Sequence, residues 1–267
     1  MSDSIARHPI TLKRVVHRLP GMDEGRTERD LQYHQSDAGP LALDVYHPHQ
    51  TDGAPAPVVL FGLGYRDVGV VSPMGCAFKE MEMFISMAQL VASSGMATVT
   101  YTTSEPVADL RRVVDHLDAN ADALNLDAAR IGLWAVSGHV PVALSAIMAQ
   151  PERFRAAVFS NGYTLDSGGT AIADAAKDYG LVNATAGRTV DDLPANVPLF
   201  LVRSGRDEIP GLNGTLDPFV SAAIERNLPV TLVNHPTSPH CFELNEDSAL
   251  SRHIIGQMLA FMQFHLA

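Results

Sequence analysis

Apolar positions along the chain follow two alternating rhythms, one of period two in short runs and one of helical spacing in longer runs. Residues 41–46 (LALDVY) alternate and then enter a Pro- and Gly-rich stretch, which predicts a strand and a turn-rich loop. Residues 58–61 form a short apolar run followed at once by glycines and read as a buried strand. The run 79–95 places Phe84, Met87, Leu90 and Val91 on one helical face and ends at Gly95. A strand is predicted at 96–101. A helix is predicted over 106–123, with Leu110, Val113, Val114 and Leu117 as its apolar stripe. The stretch 129–138 (ARIGLWAVSG) predicts a strand ending at Ser137, and 141–150 a helix stopped by Pro151. Further strands are expected at 155–162, 198–205 and 229–236, with a helix over 216–227. A last amphipathic helix over 248–266 should turn Ile254, Ile255, Met258, Leu259 and Phe261 inward.

Strands that alternate with helices over the whole length predict the α/β class: a mostly parallel central sheet flanked by helices on both faces. Two segments stand outside the rhythm. Residues 1–28 are polar with basic patches and read as an N-terminal arm ahead of one domain, 29–267. Residues 163–196 read as a small cap-like insertion of loop and short helix. A dinucleotide-binding fold would need G-x-G-x-x-G after an early strand, and here Gly62, Gly64 and Gly69 leave the third glycine too far along. The phosphate-binding pattern G-x-x-x-x-G-K-[ST] is absent.

Composition narrows the partners. The chain has 267 residues, of which 46% are hydrophobic and 18% charged, enough for a sizeable core. A formal net charge of −11 argues against nucleic acid as the main partner, because phosphate contacts need clustered cations. The first residues hold no apolar run of signal-peptide length and no segment reads as membrane-spanning, so a cytoplasmic setting is expected. The two cysteines, Cys76 and Cys241, make neither a disulfide framework nor a metal-ligand spacing, and read as free thiols.

The most informative stretch runs from an apolar strand through Ser137 directly into an apolar helix. A turn of almost no length forces the serine to the C-terminal edge of the sheet, where ligand sites collect. The free N–H groups of the following helix point to the same place, and the Gly138 N–H is the natural donor to a developing oxyanion. Here the chain resembles the α/β-hydrolase superfamily, whose nucleophile elbow is G-x-S-x-G. The matching residues are AVSGH: Ser137 stands at the nucleophile, Ala135 replaces the first glycine and His139 the second.

The resemblance implies an acid and then a histidine on loops after later strands. Asp207 follows the strand 198–205, with Glu208 as the adjacent alternative, and His240 follows the last strand, with His235 as its competitor. The loop LFGLGYRDVG resembles the H-G-G-G-type oxyanion loop of esterases, with Phe61 in the place of the histidine. A backbone N–H of Leu63 or Gly64 would be the second donor, and Tyr65, Arg66 and His139 would contact substrate. Serine esterases and dienelactone-hydrolase-like proteins are the nearest in flavour. Dienelactone hydrolases use a cysteine nucleophile, whereas here that place holds Ser137, and Cys241 lies beside the expected base. The implied activity is hydrolysis of a small or medium carboxylic ester through an acyl-enzyme, with no cofactor and no metal. Amide, thioester or carbon–carbon cleavage, acyl transfer, and a non-catalytic binding role are the alternatives. The expected partner is a small ester-like molecule; homodimer formation is left open.

Overall fold

The computed structural model describes residues 6–49, 53–166 and 168–267. Residues 1–5 of the expected arm, 50–52 of the loop after the first alternating run, and Ser167 of the insertion lie outside the described residues. The strands are β1 (Thr27–Ser36), β2 (Gly39–Tyr46), β3 (Ala56–Phe61), β4 (Ala97–Tyr101), β5 (Leu126–Val136), β6 (Ala156–Ser160), β7 (Leu199–Ser204) and β8 (Val230–His235). The helices are α1 (Asp67–Met74), α2 (Glu82–Ser93), α3 (Pro106–Leu124), α4 (Val140–Ala149), α5 (Ala171–Tyr179), α6 (Leu212–Glu225), α7 (Phe242–Asn245) and α8 (Ala249–Leu266).

The eight strands form one sheet in the order β1-β2-β4-β3-β5-β6-β7-β8. β2 runs antiparallel to both β1 and β4, and every other pairing is parallel. β4 and β6 are buried at every residue, as expected of parallel strands covered on both sides. The faces can be told apart on β5. A Cβ on Gly132 would meet Met262 and Leu266 of α8, whereas Ala135, of opposite parity, lies beside Gly62, which packs on Ala143 of α4. α8 therefore covers one face and α4 the other. Among the described residues no helix is long and apolar enough to cross a membrane.

Several expectations need correction. β1 was not anticipated, and the boundary at 28 falls inside it. Its sequence TERDLQYHQS lacks a clean alternation because it is an edge strand with two register breaks and with Asp30 at φ 58°. Upstream, Val15 and Met22 are buried, and the Val16 N–H donates to the Glu243 carbonyl at 2.8 Å, so the arm is packed on the body. α1 was also missed, because Gly69 and Pro73 lie within it and its apolar residues have no helical stripe. α6 begins at Leu212 and carries Pro218 inside. On α8 Ile254, Ile255, Met258 and Leu259 are buried as expected, but Phe261 is half-buried and packs on Phe200, and Met262 is buried in its place.

Candidate active site

β5 lies near the middle of the sheet and is apolar from Ile131 to Ala135, so its C-terminal end is fixed by burial on both faces. Ser137 follows with φ 57°, a left-handed conformation that a non-glycine residue adopts only under local constraint. A single 3-10 turn, Ser137–His139, leads into α4, whose Pro141 sits where a missing N–H costs nothing.

The structure brings Ser137, His240 and Asp207 into one chain of hydrogen bonds. His240 Nε2 lies 2.9 Å from Ser137 Oγ, and Nδ1 lies 2.7 Å from Asp207 Oδ2. The other Asp207 oxygen accepts the Ile209 N–H at 3.0 Å, and the carboxylate is fully buried. Burial is the strongest single influence and would push His240 down, but the hydrogen bond and charge of Asp207 together with the neighbouring Cys241 outweigh it and hold the imidazole above its ordinary pKa. Glu208 is exposed. His235 is fully buried and faces α8, with Nε2 at 3.1 Å from Ser251 Oγ.

The loops carrying Asp207 and His240 are locked together. The Gly205 N–H donates to the His235 carbonyl at 2.8 Å, and the Arg206 N–H to the Ser238 carbonyl at 2.9 Å. A Cβ on Gly205 would lie 2.4 Å from the Pro236 carbonyl oxygen, so only glycine fits there. Below them lies a buried polar cluster that sequence reasoning missed. Glu243, on α7, bonds Ser160 Oγ and accepts from Asn161 Nδ2 at 3.0 Å; Asn161 in turn accepts from Ser204. Burial raises the Glu243 carboxyl above the usual carboxylate range. The only sequence signal for it is an acid directly after an aromatic at the start of a short helix. Burial likewise raises the Cys241 thiol, so it stays protonated.

The loop after β3 departs from expectation. The Leu63 N–H donates to Tyr101 Oη at 3.2 Å, and the Gly64 N–H to His139 Nδ1 at 2.9 Å. Both amides nominated as oxyanion donors are therefore engaged. Gly138, by contrast, sits in the first turn of the helical segment, where N–H groups have no intrahelical acceptor. His139 does not replace the elbow glycine passively. Its ring stands 4.7, 5.0 and 5.5 Å from those of Phe78, Tyr65 and Phe84, and burial lowers its pKa to about 3, leaving it neutral with Nδ1 an acceptor. Room for it comes from Gly64, where a Cβ would sit 2.8 Å from His139 Cα.

Tyr65 and His139 line a cavity of about 380 Å³ at Ser137, together with Phe78, Met83, Tyr163 and Tyr179. A narrower apolar cleft lined by Met83, Phe84, Met87, Trp134 and Cys241 adjoins it. Tyr163 and Tyr179 come from the segment 163–196 and were not foreseen as site residues. Arg66 is not at this cavity: it lines a separate groove with Glu105, Arg111 and Gln150, beside α3 and α4.

No protein-family model matches the chain, and no curated protein matches it. Solved structures do. An esterase from Rhizomucor miehei superposes with a TM-score of 0.71 at 16% identity, covering 94% of this chain and 86% of that one. Esterase B from Lactobacillus rhamnosis, in an inhibited form, gives 0.68 at 16% identity, with 93% and 89% covered. An alpha/beta hydrolase enzyme from a Medee basin deep-sea metagenome library gives 0.66 at 13% identity, with 91% and 98% covered. With the sheet order and flanking helices described above, these likenesses show that the chain has the α/β-hydrolase fold.

Proposed function

We propose that the protein is a serine hydrolase that cleaves small or medium carboxylic esters through an acyl-enzyme. The observation that carries this reading is the unbroken Ser137–His240–Asp207 chain, 2.9 and 2.7 Å long in its two links, at the mouth of a cavity. A serine hydroxyl becomes a useful nucleophile only when a base takes its proton and a third group orients that base. In this scheme His240 deprotonates Ser137 as it attacks the ester carbonyl, and the Gly138 N–H receives the developing oxyanion. His240 then protonates the leaving alcohol. In the second step it deprotonates a water that releases the acid and restores Ser137. Asp207 holds the tautomer with the proton on Nδ1. The scheme needs no metal and no cofactor.

Two further observations support it. Several structures of similar fold are esterases, and an esterase 2 of Thermogutta terrifontis is phosphoramylated by tabun. The mostly apolar lining and the modest volume suit short acyl and alcohol groups. The segment 163–196 acts as a cap that supplies Tyr163 and Tyr179 to the wall. The two free cysteines are consistent with a reducing, cytoplasmic setting. Amide, thioester and carbon–carbon cleavage, or transfer to another acceptor, use the same residues, and substrate panels separate them.

A fluorophosphonate probe together with p-nitrophenyl esters of graded length tests the reading. The protein should be labelled once, at Ser137, and should hydrolyse the shorter esters. Ser137→Ala should lose labelling and about 10⁴-fold or more of the activity. An ordered, accessible Ser137 that is never labelled would leave a non-catalytic binding protein.

A further inference from the structure

An oxyanion intermediate needs more than one donor, and each well-aimed donor is worth about 10²–10³ in kcat. The elbow offers the Gly138 N–H. The loop amides that would complete the pair are already committed, Leu63 to Tyr101 Oη and Gly64 to His139 Nδ1. Neither acceptor is free to leave. Tyr101 is fully buried, and His139 is enclosed by three aromatic rings.

The same loop carries Tyr65, whose hydroxyl makes no hydrogen bond among the described residues. It stands against the elbow: a Cβ on Gly138 would lie 2.1 Å from Tyr65 Oη and 2.8 Å from Cζ. Tyr65 also lines the cavity that contains Ser137. Its placement is enforced from both ends. The ring packs against Phe78 at 5.5 Å and His139 at 5.0 Å. The backbone is bridged to Leu181, and the neighbouring Gly64 carbonyl accepts the Val182 N–H at 2.8 Å.

We propose that the Tyr65 hydroxyl is the second oxyanion donor, acting beside the Gly138 N–H in place of a backbone amide of the 62–65 loop. The proposal rests on the serine-hydrolase reading. It makes His139 a positioning residue that consumes the Gly64 amide and props the Tyr65 ring. Burial pushes the Tyr65 phenol well above its ordinary pKa, so it keeps its proton and remains a donor throughout the working pH range.

Tyr65→Phe removes the donor and keeps the ring. With p-nitrophenyl acetate its kcat should fall by about 10²–10³, while KM stays within about threefold and the thermal midpoint hardly moves. An aryl trifluoromethyl ketone adds to Ser137 as a hemiketal that carries the same oxyanion. Its inhibition constant should weaken by the factor lost in kcat/KM, which a packing role alone would not produce. A Tyr65→Phe enzyme that keeps kcat within about threefold of the native one, or binds the ketone undiminished, overturns the proposal while leaving the hydrolase reading intact. Failure of that reading has a different signature: native protein with no esterase activity and no probe labelling, which would overturn both.

Discussion

In the mechanism proposed above His240 must be unprotonated when Ser137 attacks, and its pairing with Asp207 makes the proton harder to lose. The sign follows directly: activity is absent while the imidazolium persists and rises with pH through a pKa above the ordinary value near 6.5. A kcat/KM profile should therefore climb with unit slope into the neutral-to-alkaline range and level there. Asp207→Asn should move that limb toward acid and cost roughly 10⁴-fold in rate. Ser137, Asp207 and His240 could be nominated from sequence because Ser137 directly follows an apolar strand, and Asp207 and His240 lie on the short loops after two later strands that end at the same edge of the sheet. The engagement of the Leu63 and Gly64 amides was not legible. It depends on Tyr101 and His139, whose side chains reach the loop only after folding. The same holds for Glu243, whose partners Ser160 and Asn161 lie at the end of β6, with Ser204 at the end of β7 bonded to Asn161 in turn.

At the scale of elements, the acid and base loops behave as one joint, because Gly205 lies against the backbone of Pro236 with no room for a Cβ. Gly205→Ala must push the two loops apart. The expected result is a loss of about 1–3 kcal/mol in stability. A fall in kcat of at least about tenfold should accompany it, since small misplacements of a catalytic group are costly. Thermal melts and steady-state kinetics on the purified variant check both. Helices with a clear stripe, such as α3, were readable to within a residue or two at their ends. α1 was hidden because tertiary contacts, not propensity, hold it: the Asp67 N–H donates to the Thr103 carbonyl at 2.9 Å, and Asp67 Oδ2 accepts the Thr103 N–H at 2.6 Å.

Over the whole molecule, the inner parallel strands were evident because burial on both faces leaves continuous apolar runs. β1 was not, because a polar edge strand resembles a loop. The buried Glu243 also has a global effect. Its carboxyl is held above the unfolded value, so the native state keeps a proton that the unfolded chain releases. That contribution is fully present below the unfolded pKa, near 4.3, and is lost as pH rises toward the native one. Glu243→Gln should flatten the decline of the thermal midpoint with pH across that window, as calorimetry at several pH values would reveal.

The strap between Tyr65 and Leu181, with Val182 bonded to Gly64, ties the wall of the cavity to the loop beside the nucleophile. On the reading proposed above, anyone who transplants residues 163–196 from another scaffold to retune selectivity will also be resetting turnover, because the graft would replace the residues that hold Tyr65. Chimeras that leave Leu181 and Val182 in place, and change only the outer helix, are the safer route to altered preference.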